Sequence, residues 1–172
     1  MTDGTVIRDE AAGDTDAVRR LVADAFADAP HASGTEAAIV DRLRADGDMT
    51  ISLIAEAGPV LGSIVGHVAF SPVRIDGRTG WLGLGPLAVA PAHQGRGIGT
   101  DLVRTGLARA EALGAVGVVL VGDPGYYARF GFVGDTGLTY QDVPSAYVQA
   151  LPLGGAPLPH GTLAYAPAFG LA

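Results

Sequence analysis

Residues 84–99, LGPLAVAPAHQGRGIG, constrain the fold of this chain more than any other stretch, because an apolar strand passes through a glycine-rich turn directly into a helix. The run 84–89 ends on a β-branched valine, Ala90 and Pro91 stop it, and a polar connection over 92–96 precedes an amphipathic run from Gly97. A helix N-terminus carries unpaired N–H groups and a partial positive charge, so it attracts phosphate. Gly95, Gly97 and Gly99 clear side chains from the backbone amides of the turn, and Arg96 adds a forked cation. Residues 116–121 then form an apolar, β-branched segment that suits a strand buried on both faces. A strand, a helix and a second strand in this order predict a parallel pair joined by a right-handed crossover, with a ligand at its C-terminal edge.

The turn alone leaves the phosphate ligand open. A P-loop needs a lysine after its second glycine, and all 11 basic residues here are arginine. A dinucleotide fingerprint needs a third glycine or alanine where Thr100 stands.

The remaining elements fall in order around this unit. A strand is expected from Thr5 to Arg8, and Asp14 or Thr15 caps a helix with Val18, Leu21, Val22, Ala25 and Phe26 on one stripe. Pro30, His31, Ser33 and Gly34 break the chain before a second helix over 35–45, with Ala38, Ile39, Arg42 and Leu43 at helical spacing and Gly47 at its end. Strands over 51–56 and 64–71 make a hairpin around Gly58, Pro59 and Gly62, and the Asp76-Gly77 turn leads back into the central strand, 81–89. The helix over 97–113 turns Ile98, Leu102, Val103, Leu107 and Ala110 inward, and Gly114 closes it. Segments 147–153 and 162–165 read as closing antiparallel strands, and the apolar tail 164–172 either packs on a neighbouring chain, giving a possible homodimer, or returns to the core. Pro86 conflicts with a central strand unless that strand bulges or parts from its neighbour.

The 172 residues suit one domain that buries about 70% of its unfolded surface. There is no cysteine, the opening MTDGTVIRDE lacks the apolar stretch of a signal peptide, and no apolar run approaches bilayer length, so a cytoplasmic protein is expected. A formal charge of −7, of which −6 precedes Met49, argues against a nucleic-acid partner. His31, His93 and His160 are scattered without metal-ligand spacing, and no metal is expected.

Gln94, Gly97 and Gly99 resemble the Q/R-x-x-G-x-G/A core of the GNAT superfamily of acyl-CoA-dependent N-acetyltransferases. Residues 123–133, DPGYYARFGFV, look like that family's second motif, an aromatic-rich turn ending in Gly-Phe. With VGHVAFSPV upstream, the pattern is similar to the YhbS-like branch of predicted acetyltransferases, over residues 7–169. The resemblance implies an α/β fold over residues 1–172 as a single domain: a central mixed sheet flanked by helices and splayed between its fourth and fifth strands. Pro86 fits that splay. By the same resemblance, Leu87 and Val89 would pair with the pantetheine arm of acetyl-CoA, an amide near Leu87 or Ala88 would face the thioester oxygen, and the amides of Gln94, Gly95, Arg96, Gly97, Ile98, Gly99 and Thr100 would hold the pyrophosphate.

The implied chemistry is direct attack of a neutral amine on the thioester. Tyr127 occupies the position of the family's general acid for the leaving thiolate. The central strand, WLGLGPLAV, lacks the glutamate that many members place there. Asp123 is the leading candidate for that missing base, or it organises the turn before Pro124; His67 and Glu56 are weaker candidates. Two functions therefore stand: an acetyl-CoA-dependent N-acetyltransferase with an amine acceptor, or a non-catalytic acyl-CoA-binding or sensing protein. The acceptor carries no motif of its own.

Overall fold

The computed structural model describes residues 4–58 and 62–171, the last by its backbone alone. The expected turn residue Pro59 and the final Ala172 lie outside the described residues. In chain order the elements are β1 (Thr5–Asp9), α1 (Thr15–Phe26), α2 (Glu36–Asp46), β2 (Ile51–Ala57), β3 (Ser63–Ile75), β4 (Arg78–Val89), α3 (Ile98–Ala112), β5 (Gly117–Val121), α4 (Pro124–Tyr127), β6 (Leu138–Thr139), β7 (Val148–Pro152) and β8 (Gly161–Ala164). The sheet runs β1-β2-β3-β4-β5-β7, antiparallel except for the parallel β4–β5 pair. It is the mixed α/β sheet that the resemblance implies, with the parallel pair that the order of elements predicts.

Helix α3 covers one face of the sheet, where Leu102 and Val103 pack against Leu53, Val68, Phe70 and Leu120. Gly106 lets the helix close on the sheet, because a Cβ there would lie 2.3 Å from Phe70 Cε2. Helices α1 and α2 cover the opposite face, with Val18, Val22 and Val40 against Ile54 and Ala88. In α2 the buried stripe is Ile39, Val40 and Leu43. Ala38 and Arg42, expected on that stripe, are exposed; Arg42 Nε donates to Asp46 one turn on, at 2.7 Å, where both side chains stay solvated.

Asp14 does not cap α1 through its side chain. Its carboxylate instead accepts from Arg8 Nη1 at 2.8 Å and from the Ala11 amide at 2.7 Å, fastening the chain that enters the helix. The C-terminal tail returns to the core, where Ala166 and Ala168 pack with Ile39, Leu43 and Ala69. β8 joins antiparallel to β3 and parallel to β6, a two-residue strand too short to show in the sequence pattern. Of the segment expected to be buried on both faces, Val116 and Val121 are exposed and residues 117–120 are buried.

The position of Pro86 follows from two departures from a regular ladder. Val68 stands opposite Leu87 and Phe70 opposite Leu84, so Gly85 and Pro86 together face Ala69 across a bulge. On its other side β4 pairs with β5 only through Trp81–Gly117, Leu82–Val118 and Gly83–Val119. From Leu84 onward the two strands have parted, and a proline without an N–H costs the sheet nothing there.

Candidate active site

The fork between β4 and β5 opens onto the N-terminus of α3. In the β3–β4 ladder the Ala90 N–H donates to Val65 O at 2.8 Å. Stepping back by two residues through the antiparallel register makes Ala88 and His67 a hydrogen-bonded pair and turns the N–H and C=O of Leu87 and Val89 away from β3, into the fork. The Val89 carbonyl is met there by Gln94 Nε2 at 3.1 Å. Of the two amides named for the oxyanion role, that of Leu87 is therefore the one directed into the fork. Ala88 gives its backbone to β3 and its side chain to the α1 face.

The turn after β4 is shaped by backbone conformation. Gly95 and Gly97 have φ of 74° and 85°, in the left-handed region that glycine adopts without strain. Gly97 is the N-cap residue of α3 and brings no side chain to it, and the first backbone bond across the cap runs from the Asp101 N–H to Gly97 O, at 3.0 Å. The amides of Ile98, Gly99 and Thr100 thus remain for a ligand, at the positive end of a 15-residue helix. Gly99 is small for another reason: a Cβ there would lie 3.0 Å from the Tyr126 hydroxyl.

A cavity of about 400 Å³ occupies this place, lined by Leu87, Val89, His93, Gln94, Gly95, Gly97, Ile98, Gly99, Thr100, Tyr126 and Arg129. Eight of these are residues singled out in the sequence. Arg96 is exposed and stands outside the lining. His93, Tyr126 and Arg129 are additions that sequence reasoning missed. The Arg129 guanidinium lies 4.3 Å from the Tyr126 ring centroid while its Nε donates to Tyr126 O at 2.8 Å, which fixes a cation beside the helix N-terminus. Their i, i+3 spacing in YYAR was the available signal.

Tyr127 projects from α4 at the end of β5. Its ring covers Gly122, where a Cβ would be 2.7 Å from Tyr127 Cε2, and it packs among Tyr126, Phe130 and Phe132. Burial, followed by the neighbouring Tyr126 and Asp123, raises its phenol pKa above the usual range, so it holds its proton through neutral pH. Asp123 starts α4: Oδ1 accepts the Gly125 N–H at 2.9 Å, and its carbonyl accepts the N–H groups of Tyr126 and Tyr127.

Glu56 and His67 are committed elsewhere. Glu56 Oε1 accepts from Arg8 Nη2 at 2.6 Å. His67 is fully buried on the α2 side of the sheet, with Nε2 2.9 Å from Ser52 Oγ. Ser52 gives its proton to Glu10, which also accepts from Arg44 Nη2 at 2.5 Å. Nε2 is then the donor to Ser52, and the buried Nδ1 has no partner. The described residues contain no group of three or more His, Cys, Asp or Glu side chains placed to hold a metal. No described helix is long and apolar enough to cross a membrane.

Known proteins share this arrangement. The Escherichia coli K12 protein "Uncharacterized N-acetyltransferase YhbS" is 43% identical over 101 residues, 58% of this chain and 59% of that protein. The E. coli protein YjhQ, also named an uncharacterized N-acetyltransferase, is 35% identical over 107 residues and likewise matched over 59% of its length, so the chain spans about three fifths of the curated relatives it matches. A GNAT family acetyltransferase from Brucella melitensis, solved in complex with acetyl-CoA, superposes with a TM-score of 0.83 at 44% identity over 96% of this chain and 97% of that one. YhbS from E. coli, solved with CoA, superposes with a TM-score of 0.85 at 32% identity over 97% of this chain and 92% of that one. The sequence profile of the acetyltransferase (GNAT) family matches residues 15–132, from the first helix through both glycine-bearing motifs, and this chain belongs to that family.

Proposed function

We propose that this chain transfers an acetyl group from acetyl-CoA to a primary amine. The observation that carries the reading is the meeting of an uncapped helix N-terminus with a fork between parallel strands: one suits a pyrophosphate, the other admits an extended arm with amide hydrogen-bonding needs. The amides of Ile98, Gly99 and Thr100 would hold the pyrophosphate, with Arg129 beside them, and Leu87 and Val89 would pair with the pantetheine amides. When bound, acetyl-CoA supplies a thioester whose carbonyl carbon is the electrophile.

The residues then divide the work. The Leu87 N–H, directed into the fork, would receive the oxygen as it gains charge. The amine lone pair forms the C–N bond as the carbonyl pair moves onto oxygen, and when that pair returns the C–S pair leaves on sulfur. Tyr127, protonated and half-buried, gives its proton to that sulfur, and the phenolate recovers the proton shed by nitrogen through solvent, so a neutral amine needs no net proton uptake. Asp123, capping α4 and holding the amides of Tyr126 and Tyr127, sets the direction of the phenol; we assign it a positioning role.

Isothermal titration with acetyl-CoA, followed by a thiol-release screen across primary amines, tests the reading. Binding with turnover is the expected result. Binding without turnover on any amine sinks acetyl transfer and leaves a protein that only binds the cofactor; absence of binding sinks both.

A further inference from the structure

The fork has two faces, and the cofactor cavity uses only one. Tyr127 lies on the α3 face, since the Cβ position of Gly122 that it covers is also 3.4 Å from Leu120 Cδ1, a residue of the α3-side core. On the other face a second tyrosine occupies the point where the strands separate. Gly83 is the last β4 residue paired with β5, and a Cβ on it would lie 2.8 Å from Tyr165 Cε1. Tyr165 arrives from the segment after β8, more than 80 residues away in sequence.

Three observations make this ring more than a packing residue. Tyr140 at 5.0 Å and Phe169 at 4.8 Å clamp it, so its hydroxyl direction is set by aromatic contacts and not by a hydrogen bond to any described residue. Two residues along β4, Gly85 has nothing within 4 Å of its Cβ position, so the strand is open there. Ser71, opposite Gly83 in β3, is fully buried with an Oγ that has no partner, which adds a hydrogen-bonding group to the same face. Burial, and after it Tyr140 and Tyr127, raises the Tyr165 phenol pKa, so the residue keeps its proton at neutral pH.

We propose that Tyr165 is the acceptor-positioning residue: the amine enters through the opening at Gly85, on the face opposite the cofactor cavity, and donates one N–H to the Tyr165 oxygen while its lone pair faces the thioester. The acceptor class is an uncharged, unhindered primary amine, because a phenol oxygen accepts an N–H and the glycines at 83 and 85 bring no side chain to crowd it. The proposal rests on the acetyl-transfer reading.

The test compares Tyr165→Phe with the wild type, using an alkylamine and a peptide α-amine as acceptors. Phenylalanine keeps the ring against Gly83, Tyr140 and Phe169, so the fold is retained. The expected result is an amine KM raised about five- to tenfold, the worth of one hydrogen bond, with kcat within about threefold and acetyl-CoA affinity, by titration calorimetry, within about twofold. Gly83→Ala, which pushes the ring aside, should raise amine KM in the same direction. An unchanged amine KM in Tyr165→Phe overturns the proposal and leaves acetyl transfer standing, as does an equal loss of acetyl-CoA affinity, which would put the residue on the cofactor side. A wild type that binds acetyl-CoA and releases thiol with no primary amine of the screen overturns both.

Discussion

The two ends of the α/β unit solve the placement of charge in opposite ways. At the cofactor end the cavity is built from backbone: Gly95 and Gly97 in left-handed conformations, the first amides of α3, and the outward-facing groups of Leu87 and Val89. At the far end a larger cavity of about 510 Å³ is bordered by Glu10, Arg44, Ser52 and Arg109, and there the charges answer one another: Glu10 takes Arg44 and Ser52, while Asp9 takes Arg109 Nη1 at 2.9 Å. Volume alone would favour the larger cavity. Unsatisfied donors pointing into a space mark a place for a ligand; charges already paired mark a place that holds the fold.

The strongest way to break this contrast is at Tyr127. Replacement by Phe keeps the aromatic packing and should lower kcat about 10²- to 10⁴-fold while acetyl-CoA affinity stays within about threefold. Stopped-flow or steady-state thiol release checks it, and an unchanged kcat would return Tyr127 to a packing role.

The far end should respond to acid instead. Burial works against the charged Glu10, but His67, Ser52 and Arg44 outweigh it and hold its pKa at about 2, down from 4.5. A depressed carboxylate contributes stability that is present above the unfolded pKa and lost as pH falls through the folded one. Stability should therefore drop between about pH 4.5 and 2, by roughly 3 kcal/mol if Glu10 acts alone. Denaturant melts of the wild type and Glu10→Gln should converge in that window, the variant being weaker at pH 7 and flatter below it.

Gly97→Val comes next in size. A β-branched residue at φ 85° costs roughly 1–2 kcal/mol of backbone strain and crowds the helix amides. Weaker acetyl-CoA binding, by about tenfold, with a smaller change in amine KM is the expected calorimetric and kinetic result. Asp123→Asn should be the mildest. Asparagine caps as well as aspartate, so activity should stay within about tenfold. A loss of 10²-fold or more would make Asp123 the base.

Much of the cofactor half was legible because its signals are local. A glycine that must adopt positive φ, a proline that cannot donate to a ladder, and a helix that begins without a cap are properties of a few neighbouring residues. The stripe of α2 was misread for a related reason. Ala38 and Arg42 fit helical spacing, but which side of a helix is buried depends on what lies across from it, and here Val40 meets Ile54 and Ala88. Tyr126 and Arg129 were present in the pattern, yet only folding brings the Tyr126 hydroxyl within 3.0 Å of the Cβ position of Gly99.

By itself the sequence determined the run of the main strands and helices, an interruption of the central strand at Pro86 and the phosphate-seeking turn, since each is set by backbone conformation within a short window. Tertiary structure alone decided that Glu56 and His67 are held away by Arg8 and Ser52, that Ala88 faces β3 while Leu87 faces the fork, and that Tyr165 comes to rest on Gly83. The physical reason is that these depend on side chains far apart in the chain meeting across a sheet. Spacing in sequence does not encode such meetings; register and packing do.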